Sequence, residues 1–230
     1  MKHKITKFFL LLATLIYLSG LPQFAWALPT LSWDWNDGTL QGWTPVPPFG
    51  GALGVDASFG NPGGSMFATD TVFQGGGLIA QAPSTLAGNL SLYQGIAWDE
   101  FIPGQGSLTN QSTHVVIAGT DGTVYESDKT LGPIDAWHAK FVSFSDPSVW
   151  TLYSGTTSFS NVILSVAALG IQMETSNQGN GNVESWIDNV VANPVSNPVP
   201  EPATLVLLCS GLLAFASLKR RALRLGCGYR

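Results

Sequence analysis

Cysteine is absent from most of this chain. Of the 230 residues, two are cysteines, Cys209 and Cys227, and both lie near the C-terminus. Residues 28–202 therefore have no disulfide to hold them, and a domain there must rely on its apolar core. A stretch of about 165 residues is long enough to build such a core.

Basic residues are equally scarce in this central part. Between Leu28 and Pro200 the chain has two of them, Lys129 and Lys140, against fourteen Asp and Glu, which gives a net charge of −12. The phosphates of nucleic acids and anionic lipid headgroups repel a surface of this sign. We therefore expect no nucleic-acid partner for the domain.

Residues suited to nucleophilic or acid-base catalysis are also few. After position 27 the chain has two histidines, His114 and His138, and no serine in a Gly-x-Ser-x-Gly elbow. Asp99 and Glu100 are adjacent carboxylates, but neighbours on a strand point to opposite faces and cannot flank one glycosidic bond. The sequence therefore predicts a protein that is not an enzyme.

Long amphipathic helices are missing, and short alternating stretches take their place. Every second residue is apolar in 31–35 and 141–144, which puts those side chains on one face of a strand. Turn signals such as Asn-Asp-Gly at 36–38 recur between such stretches. The pattern predicts an all-β fold over residues 28–192, an antiparallel β-sandwich of the jelly-roll type. Residues 159–168 could form a helix by composition, but their Val and Ile content favours a further strand.

The first 27 residues have the three parts of a secretory signal peptide. Three lysines precede an apolar run at 8–18, and Ala25 and Ala27 stand at the −3 and −1 positions of the expected cleavage site. The run is shorter than the ~20 residues that a membrane-spanning helix needs. We expect cleavage after Ala27, so that the mature chain begins at Leu28.

A second apolar run lies near the other end of the chain. Residues 203–218 carry no charge, and a cluster of four Lys and Arg at 219–224 follows them. This pattern predicts a short transmembrane helix at 203–218, with its basic flank in the cytoplasm and the domain outside. Residues 193–199 are polar and contain two prolines, so they are expected to form an extended linker.

The residues Pro200, Glu201 and Pro202 directly precede this helix. Together with the apolar helix and the Arg-rich end, they resemble the PEP-CTERM sorting signal of bacterial envelope proteins, over residues 200–230. The resemblance implies recognition by an exosortase, a membrane peptidase that removes the helix. The helix would then hold the protein in the membrane only before processing, and the mature protein would reside in the envelope, on the surface or outside the cell.

Several motifs of the central part follow one another in a fixed order. Residues 33–43 begin Trp-Asp-Trp-Asn-Asp-Gly and end Gly-Trp, and later come Asn-Pro-Gly-Gly at 61–64, Leu-Ala-Gly-Asn-Leu-Ser at 86–91, Tyr-Gln-Gly at 93–95 and Trp-Ile-Asp-Asn-Val at 186–190. In this order they resemble the laminin B domain, in the broad group of carbohydrate-binding-like β-sandwiches, over residues 31–192. Such domains are typically non-catalytic, so the resemblance implies adhesion or matrix binding.

Carboxylates near the first and last strands define a candidate calcium site. These strands often lie close together in jelly rolls, and Asp34, Asp37 and Asp188 would supply the oxygen ligands that calcium prefers. The resemblance implies a structural calcium here, although Asn36 stands where an acid is usual. The other interpretation is that Asp37 caps its own turn and Asp188 accepts hydrogen bonds from backbone amides. No other cofactor is expected.

Seven tryptophans follow Ala27, and they divide into two groups. Those in motif positions are expected in the core: Trp33, Trp35, Trp43 and Trp186. Those that remain are candidates for stacking on sugar rings: Trp98, Trp137 and Trp150. Trp98 lies beside two carboxylates, and we expect it to be at least partly exposed.

These features together predict an exported, non-enzymatic protein of the envelope or extracellular matrix. Its expected partners are an exosortase and either extracellular polysaccharide or other matrix components. Two alternatives stay open, a carbohydrate-active enzyme that uses Asp and Glu, and a purely structural surface protein.

Overall fold

Short β-strands account for about half of the residues that the structure, a computed structural model, describes: 28–46, 51–70, 78–104, 112–173 and 183–195. The strands are β1 (Leu31–Trp33), β2 (Thr44–Pro45), β3 (Gly51–Asp56), β4 (Ser65–Asp70), β5 (Ile79–Gln81), β6 (Tyr93–Phe101), β7 (His114–Gly119), β8 (Val124–Ser127), β9 (His138–Ser143), β10 (Trp150–Ser154), β11 (Val166–Gln172) and β12 (Val183–Pro194). The helical elements within these residues are one α-helical turn, α1 (Phe159–Val162), and three 3₁₀ turns, Ser84–Leu86, Leu90–Leu92 and Pro147–Val149.

The strands form two antiparallel sheets of six strands each. Sheet A has the order β3-β4-β12-β6-β9, with β1 also paired to β12, and sheet B has the order β10-β8-β7-β11-β5-β2. Alternate residues of both sheets contribute to one shared apolar core, as in a β-sandwich. The predicted all-β, antiparallel sandwich is therefore confirmed.

The last strand organises sheet A. β12 pairs with β6 over most of its length, with β4 near its start and with β1 near its end. Ile187, Val190 and Ala192 of this strand are fully buried between the sheets. The strand continues to Pro194, two residues beyond the predicted end of the domain at 192.

Three tryptophans of the opening motif form the aromatic centre of the core. The rings of Trp33 and Trp43 pack edge to face with centroids 5.7 Å apart, and those of Trp35 and Trp43 are 6.0 Å apart. All three are at most 8% exposed, as predicted. The prediction for Trp186 is wrong, because this residue lies on the outer face of sheet A, where its ring packs against Phe101.

A carboxylate, Glu100 of β6, is fully buried inside the sandwich. Its Oε1 accepts a hydrogen bond from Ser112 Oγ and lies 2.7 Å from His138 Nε2. Its Oε2 accepts hydrogen bonds from the Thr113 hydroxyl and, at 3.0 Å, from the Thr113 backbone N–H, and Lys140 Nζ lies 3.9 Å from Oε1. A buried carboxylate without partners is strongly destabilising. These hydrogen-bond donors therefore allow the Glu100 side chain to lie inside the core.

Trp98 and Trp150 are core residues, so the prediction that they offer their rings to a glycan is wrong. Trp98 is 1% exposed, and its indole N–H donates to Thr113 Oγ1 over 2.8 Å. The carboxylate of Glu100, which suggested an exposed setting, points to the same interior face of β6. Trp150 is 6% exposed and stacks on Phe159 with ring centroids 4.9 Å apart.

Residues 159–168 do not form one strand as predicted. The turn α1 occupies Phe159–Val162, and β11 begins only at Val166. Phe159 and Val162 are both buried, and a spacing of three residues puts them on one side of a helical turn. Packing against the core therefore outweighs the strand preference of Val and Ile here.

Several predicted segments lie outside the described residues. These are the signal peptide at 1–27 with Ala25 and Ala27, most of the linker, and the segment 200–230 with its helix at 203–218. Within the residues that are described, no helix is both long and apolar enough to cross a membrane.

Replacing either of two buried indoles should unfold the domain more easily. Trp98→Ala and Trp43→Ala should each lower the free energy of unfolding by roughly 3 to 5 kcal/mol, because each leaves a large cavity in the core. Urea unfolding followed by circular dichroism measures this change. The matched control is Phe141→Ala on β9, where the ring is 61% exposed and the change should stay within about 1 kcal/mol. If Trp98→Ala were as stable as this control, its assignment to the core would be contradicted.

Candidate functional site

A groove of about 350 Å³ crosses the outer face of sheet B. Strands β7, β8 and β11 contribute its floor, while β5, β10 and the residue after β2 contribute its sides. The groove therefore runs across the strands, and each of the six strands of sheet B, or the residue that follows it, contributes to its lining. Concave surfaces of this kind are where proteins most often bind ligands.

The floor of the groove is made of small aliphatic groups. Val116 and Ala118 of β7 lie in register with Gly170 and Ala168 of β11, and Ala118 lies in register with Val124 of β8. Because side chains alternate along a strand, these residues face outward while their neighbours enter the core. The middle of the groove thus presents methyl groups and backbone rather than polar or aromatic side chains.

Gly170 has no side chain, so the groove is deeper at this position of β11. A Cβ atom at this position would lie 2.5 Å from Cγ2 of Ile79 on the neighbouring strand β5. Any other residue would therefore have to push Ile79 aside.

Four polar side chains stand around this floor: Gln81, Glu126, Tyr153 and Gln172. Glu126 lies in register with Val116, and Gln81 lies in register with Gly170. One row across four neighbouring strands therefore has polar ends and an apolar middle. Tyr153 is 70% exposed at an irregularity of β10, where it offers the groove an aromatic ring and a hydroxyl.

The basic residues of the domain are engaged within it. Lys129 Nζ forms an ion pair with Glu126 Oε2 at 2.6 Å. Lys140 Nζ donates hydrogen bonds to Ser112 Oγ at 3.1 Å and to the Thr130 carbonyl at 3.2 Å. Among the described residues that line the groove, Glu126 is the only carboxylate. The described lining residues therefore do not include the pair of carboxylates that a glycosidase uses.

Trp137, the third candidate for sugar stacking, lies on the other sheet. Its ring packs with those of Phe59 and Phe101 on the outer face of sheet A, and Trp186 completes the cluster, with centroids 5.1 to 5.6 Å apart. All four side chains are partly exposed. The rings are tilted or edge to face, so they form an aromatic surface but not one flat plate.

Asp34 and Asp37, two of the three candidate calcium ligands, are used by the turn after β1. Asp37 Oδ1 accepts hydrogen bonds from the Thr39 N–H and hydroxyl, both at 2.9 Å, and these bonds hold the pKa of Asp37 below its ordinary value. Asp34 Oδ1 accepts a hydrogen bond from the Asn36 N–H at 3.3 Å, and hydrogen bonding to Asn36 lowers the pKa of Asp34. Asn36 itself accepts a hydrogen bond from the Gly64 N–H at 2.8 Å.

Asp188, the third candidate, is fully buried on β12. Its two oxygens accept hydrogen bonds at 2.6 Å from the backbone N–H groups of Asn61 and Asn189. Burial raises the pKa of Asp188, and the nearby charges of Asp99 and Asp34 raise it further. Within the described residues, no group of three or more His, Cys, Asp or Glu is arranged to hold a metal ion. In the structure these carboxylates accept hydrogen bonds from the chain itself.

Neither histidine of the domain is among the described residues that line the groove. His114 lies on the same face of β7 as Val116, in register with Gln172, but it is fully buried, and this burial lowers its pKa. His138 lies against the buried carboxylate of Glu100. Asp99 and Glu100 point to opposite faces, as predicted, because Glu100 enters the core while Asp99 accepts a hydrogen bond from Asn189 on the outer face.

The residues predicted to bind sugar are tryptophans, and none of them lines the groove, whose floor consists of Val, Ala and Gly at alternate positions of β7, β8 and β11. The available signal was small residues at alternate positions, Val116 and Ala118 and then Ala168 and Gly170. The pairing of these two distant segments was needed to show that they form one surface.

Solved structures with a similar fold include carbohydrate-binding modules and a laminin domain. The family 11 carbohydrate-binding module of Clostridium thermocellum Lic26A-Cel5E is 15% identical, with a TM-score of 0.46, over 74% of this chain and 96% of that one. The CBM22-1 xylan-binding domain of Paenibacillus barcinonensis Xyn10C is 16% identical, with a TM-score of 0.46, over 73% and 94%. The L4b domain of human laminin alpha-2 is 12% identical, with a TM-score of 0.43, over 53% and 72%.

The C-terminal segment matches a family model, whereas no curated protein matches the chain. The model is described as the PEP-CTERM protein-sorting motif, and it matches residues 198–221. This confirms the resemblance drawn from Pro200, Glu201 and Pro202 and indicates an exported protein that is sorted to the cell surface. The chain thus carries a PEP-CTERM sorting motif after a β-sandwich whose structural neighbours are carbohydrate-binding jelly-roll modules and a laminin domain.

Proposed function

We propose that this is a non-enzymatic surface protein that binds a glycan in the groove of sheet B. The groove is the observation that carries this proposal. A sugar has apolar C–H faces and polar hydroxyl edges, and the groove combines an apolar floor with hydrogen-bonding side chains at its ends. The exposed ring of Tyr153 adds a surface on which a sugar face stacks.

Two observations favour binding without catalysis. Glu126 is the single carboxylate among the described residues of the groove, and it is already paired with Lys129. His138 lies against the carboxylate of Glu100, and His114 is fully buried. An enzyme that uses Asp and Glu would need a second carboxylate across the bond to be cleaved.

The sorting motif supports a location where glycans are available. In this proposal an exosortase recognises the segment around Pro200, Glu201 and Pro202 and removes the helix at 203–218. The domain then remains at the cell surface or in the extracellular matrix. Extracellular polysaccharide or other matrix components would be its partners there.

Removing the exposed ring of Tyr153 should weaken glycan binding. The mature protein, purified from cells that express the full chain, is applied to a glycan array, and affinities for the hits are measured by calorimetry. Tyr153→Ala should weaken binding about tenfold, as loss of an aromatic contact at a binding site does. Its stability should change by less than about 1 kcal/mol, because the side chain is on the surface.

Trp137→Ala is the matched variant on the other sheet and should leave binding unchanged. If Trp137→Ala weakens binding while Tyr153→Ala does not, the site lies on the outer face of sheet A instead. Hydrolysis of the same glycans is scored in parallel by released reducing ends. Turnover would favour the enzyme, and neither binding nor turnover would favour a purely structural protein.

Processing at both ends should be visible in the mass of the mature protein. The chain should begin at Leu28 and lack residues 205–230, because signal peptidase and exosortase remove the two ends. Intact-mass analysis of protein from cells with an exosortase measures this. A variant with Pro200, Glu201 and Pro202 all changed to alanine should keep its C-terminal helix. A wild-type protein that also keeps this helix would show a plain membrane anchor instead.

We also propose a structural calcium held by Asp34, Asp37 and Asp188. Such an ion would offset the charge of these carboxylates, so chelation should lower the melting temperature. Asp188→Asn should remove this dependence on calcium, whereas Asp146→Asn at an exposed turn should keep it. The measurement is calorimetric melting with calcium and with chelator. Equal melting curves for the wild-type protein would show that the carboxylates rely on hydrogen bonds alone.

A further inference from the structure

The middle of the groove offers a bare sugar few hydrogen-bond partners. Val116, Ala118, Val124 and Ala168 present aliphatic groups there, and Gly170 presents backbone. A hydroxyl that points at such a floor loses its water without gaining a partner, and this costs free energy. The floor therefore accepts the C–H face of a sugar or an apolar substituent, and it disfavours a hydroxyl at its centre.

Aromatic stacking does not offset this cost in the middle of the groove. Tyr153 is the only aromatic residue among the described residues that line it, and it belongs to β10, the edge strand. The described tryptophans lie in the core or on the outer face of sheet A. A ligand must therefore make its contact with the floor through aliphatic groups of its own.

The polar ends of the groove argue against a purely apolar ligand such as an acyl chain. Glu126 and Gln81 stand at opposite ends of one row, three strand spacings apart. At about 4.8 Å for each spacing, this separation is about 14 Å. A ligand without polar groups would cover these side chains and leave them without hydrogen bonds. The matching ligand is apolar at its centre and polar at both sides.

The charge of the domain argues against an acidic ligand. Residues from Leu28 to Pro200 carry a net charge of −12, and the nearest lysine, Lys129, is already paired with Glu126. An anionic polysaccharide would therefore meet repulsion without a free cation among the described residues of the groove.

We infer that the groove binds a neutral glycan whose sugars carry apolar substituents, above all O-acetyl groups. The methyl of an acetyl ester fits a floor of Val, Ala and Gly, and the remaining ring hydroxyls are left for Gln81, Gln172 and Glu126. Sugars with methyl ethers and 6-deoxy sugars belong to the same class. This inference rests on the proposed glycan binding and adds the chemistry of the ligand to it.

The test compares each glycan with its own deacetylated form. Neutral O-acetylated polysaccharides, among them acetylated xylan and acetylated glucomannan, are printed before and after mild alkaline treatment, which hydrolyses the esters. The mature protein, purified from cells that express the full chain, should bind an acetylated form about tenfold more tightly than its deacetylated form, as one buried apolar group allows. An acidic polysaccharide on the same array should not bind.

A substitution in the groove floor separates a preference for acetyl groups at this site from non-specific binding of the acetylated polymers. Val116→Thr keeps the shape of the side chain but replaces one methyl with a hydroxyl, so it should reduce the preference for the acetylated form. Val191→Thr is the control, since Val191 is also partly buried but lies on β12 of the other sheet, and it should keep the preference. Thermal melting checks that both variants are folded, and Ala168→Ser replaces Val116→Thr if the latter is not.

Each outcome decides between the two proposals. Equal binding to both forms, or unchanged preference in the floor variants, would overturn the inference and leave glycan binding intact. Binding to neither form, nor to any other glycan on the array, would overturn both. Binding to fatty acids or apolar peptides in place of glycans would also overturn both and assign the groove to an apolar ligand.

Discussion

The pairing of the last strand with three others is the constraint on which the rest of this structure depends. β12 lies between β4 and β6 and also pairs with β1, so it joins both halves of sheet A. No cysteine lies between residues 28 and 202, and no disulfide can replace these hydrogen bonds. The same strand directs Ile187 into the core and places Asp188 where the N–H of Asn61 reaches it.

The carboxylate of Glu100 is buried inside the sandwich and needs hydrogen-bond donors there. Its hydrogen bonds with Ser112 and Thr113 join β6 of sheet A to the start of β7 in sheet B. Trp98 takes part in the same network because its N–H donates to the Thr113 hydroxyl. The indole is thereby satisfied inside the sandwich, which explains why a tryptophan beside two acidic residues is buried. The Thr113 hydroxyl thus forms hydrogen bonds with both buried side chains, Glu100 and Trp98.

The two outer faces of the sandwich differ in the size of their side chains. The outer face of sheet A carries the rings of Phe59, Phe101, Trp137 and Trp186, which pack against one another. Sheet B presents Val, Ala and Gly, and small side chains leave room for a groove. The proposed ligand site is therefore on the sheet with fewer aromatic residues, in contrast to the expectation that sugar recognition requires tryptophan.

The sequence by itself determined the sorting motif and the class of fold, because both depend on local order. Apolar alternation predicts strands wherever they pair, and Pro200, Glu201 and Pro202 form a contiguous motif that matched a family model. Only the tertiary structure decided which face of each strand became core, groove or aromatic surface. Val116 and Gly170 meet across strands that are distant in the chain, and Trp98 is buried by a partner on the other sheet. Such choices follow from long-range pairing and hydrogen bonding, which a single stretch of sequence does not encode.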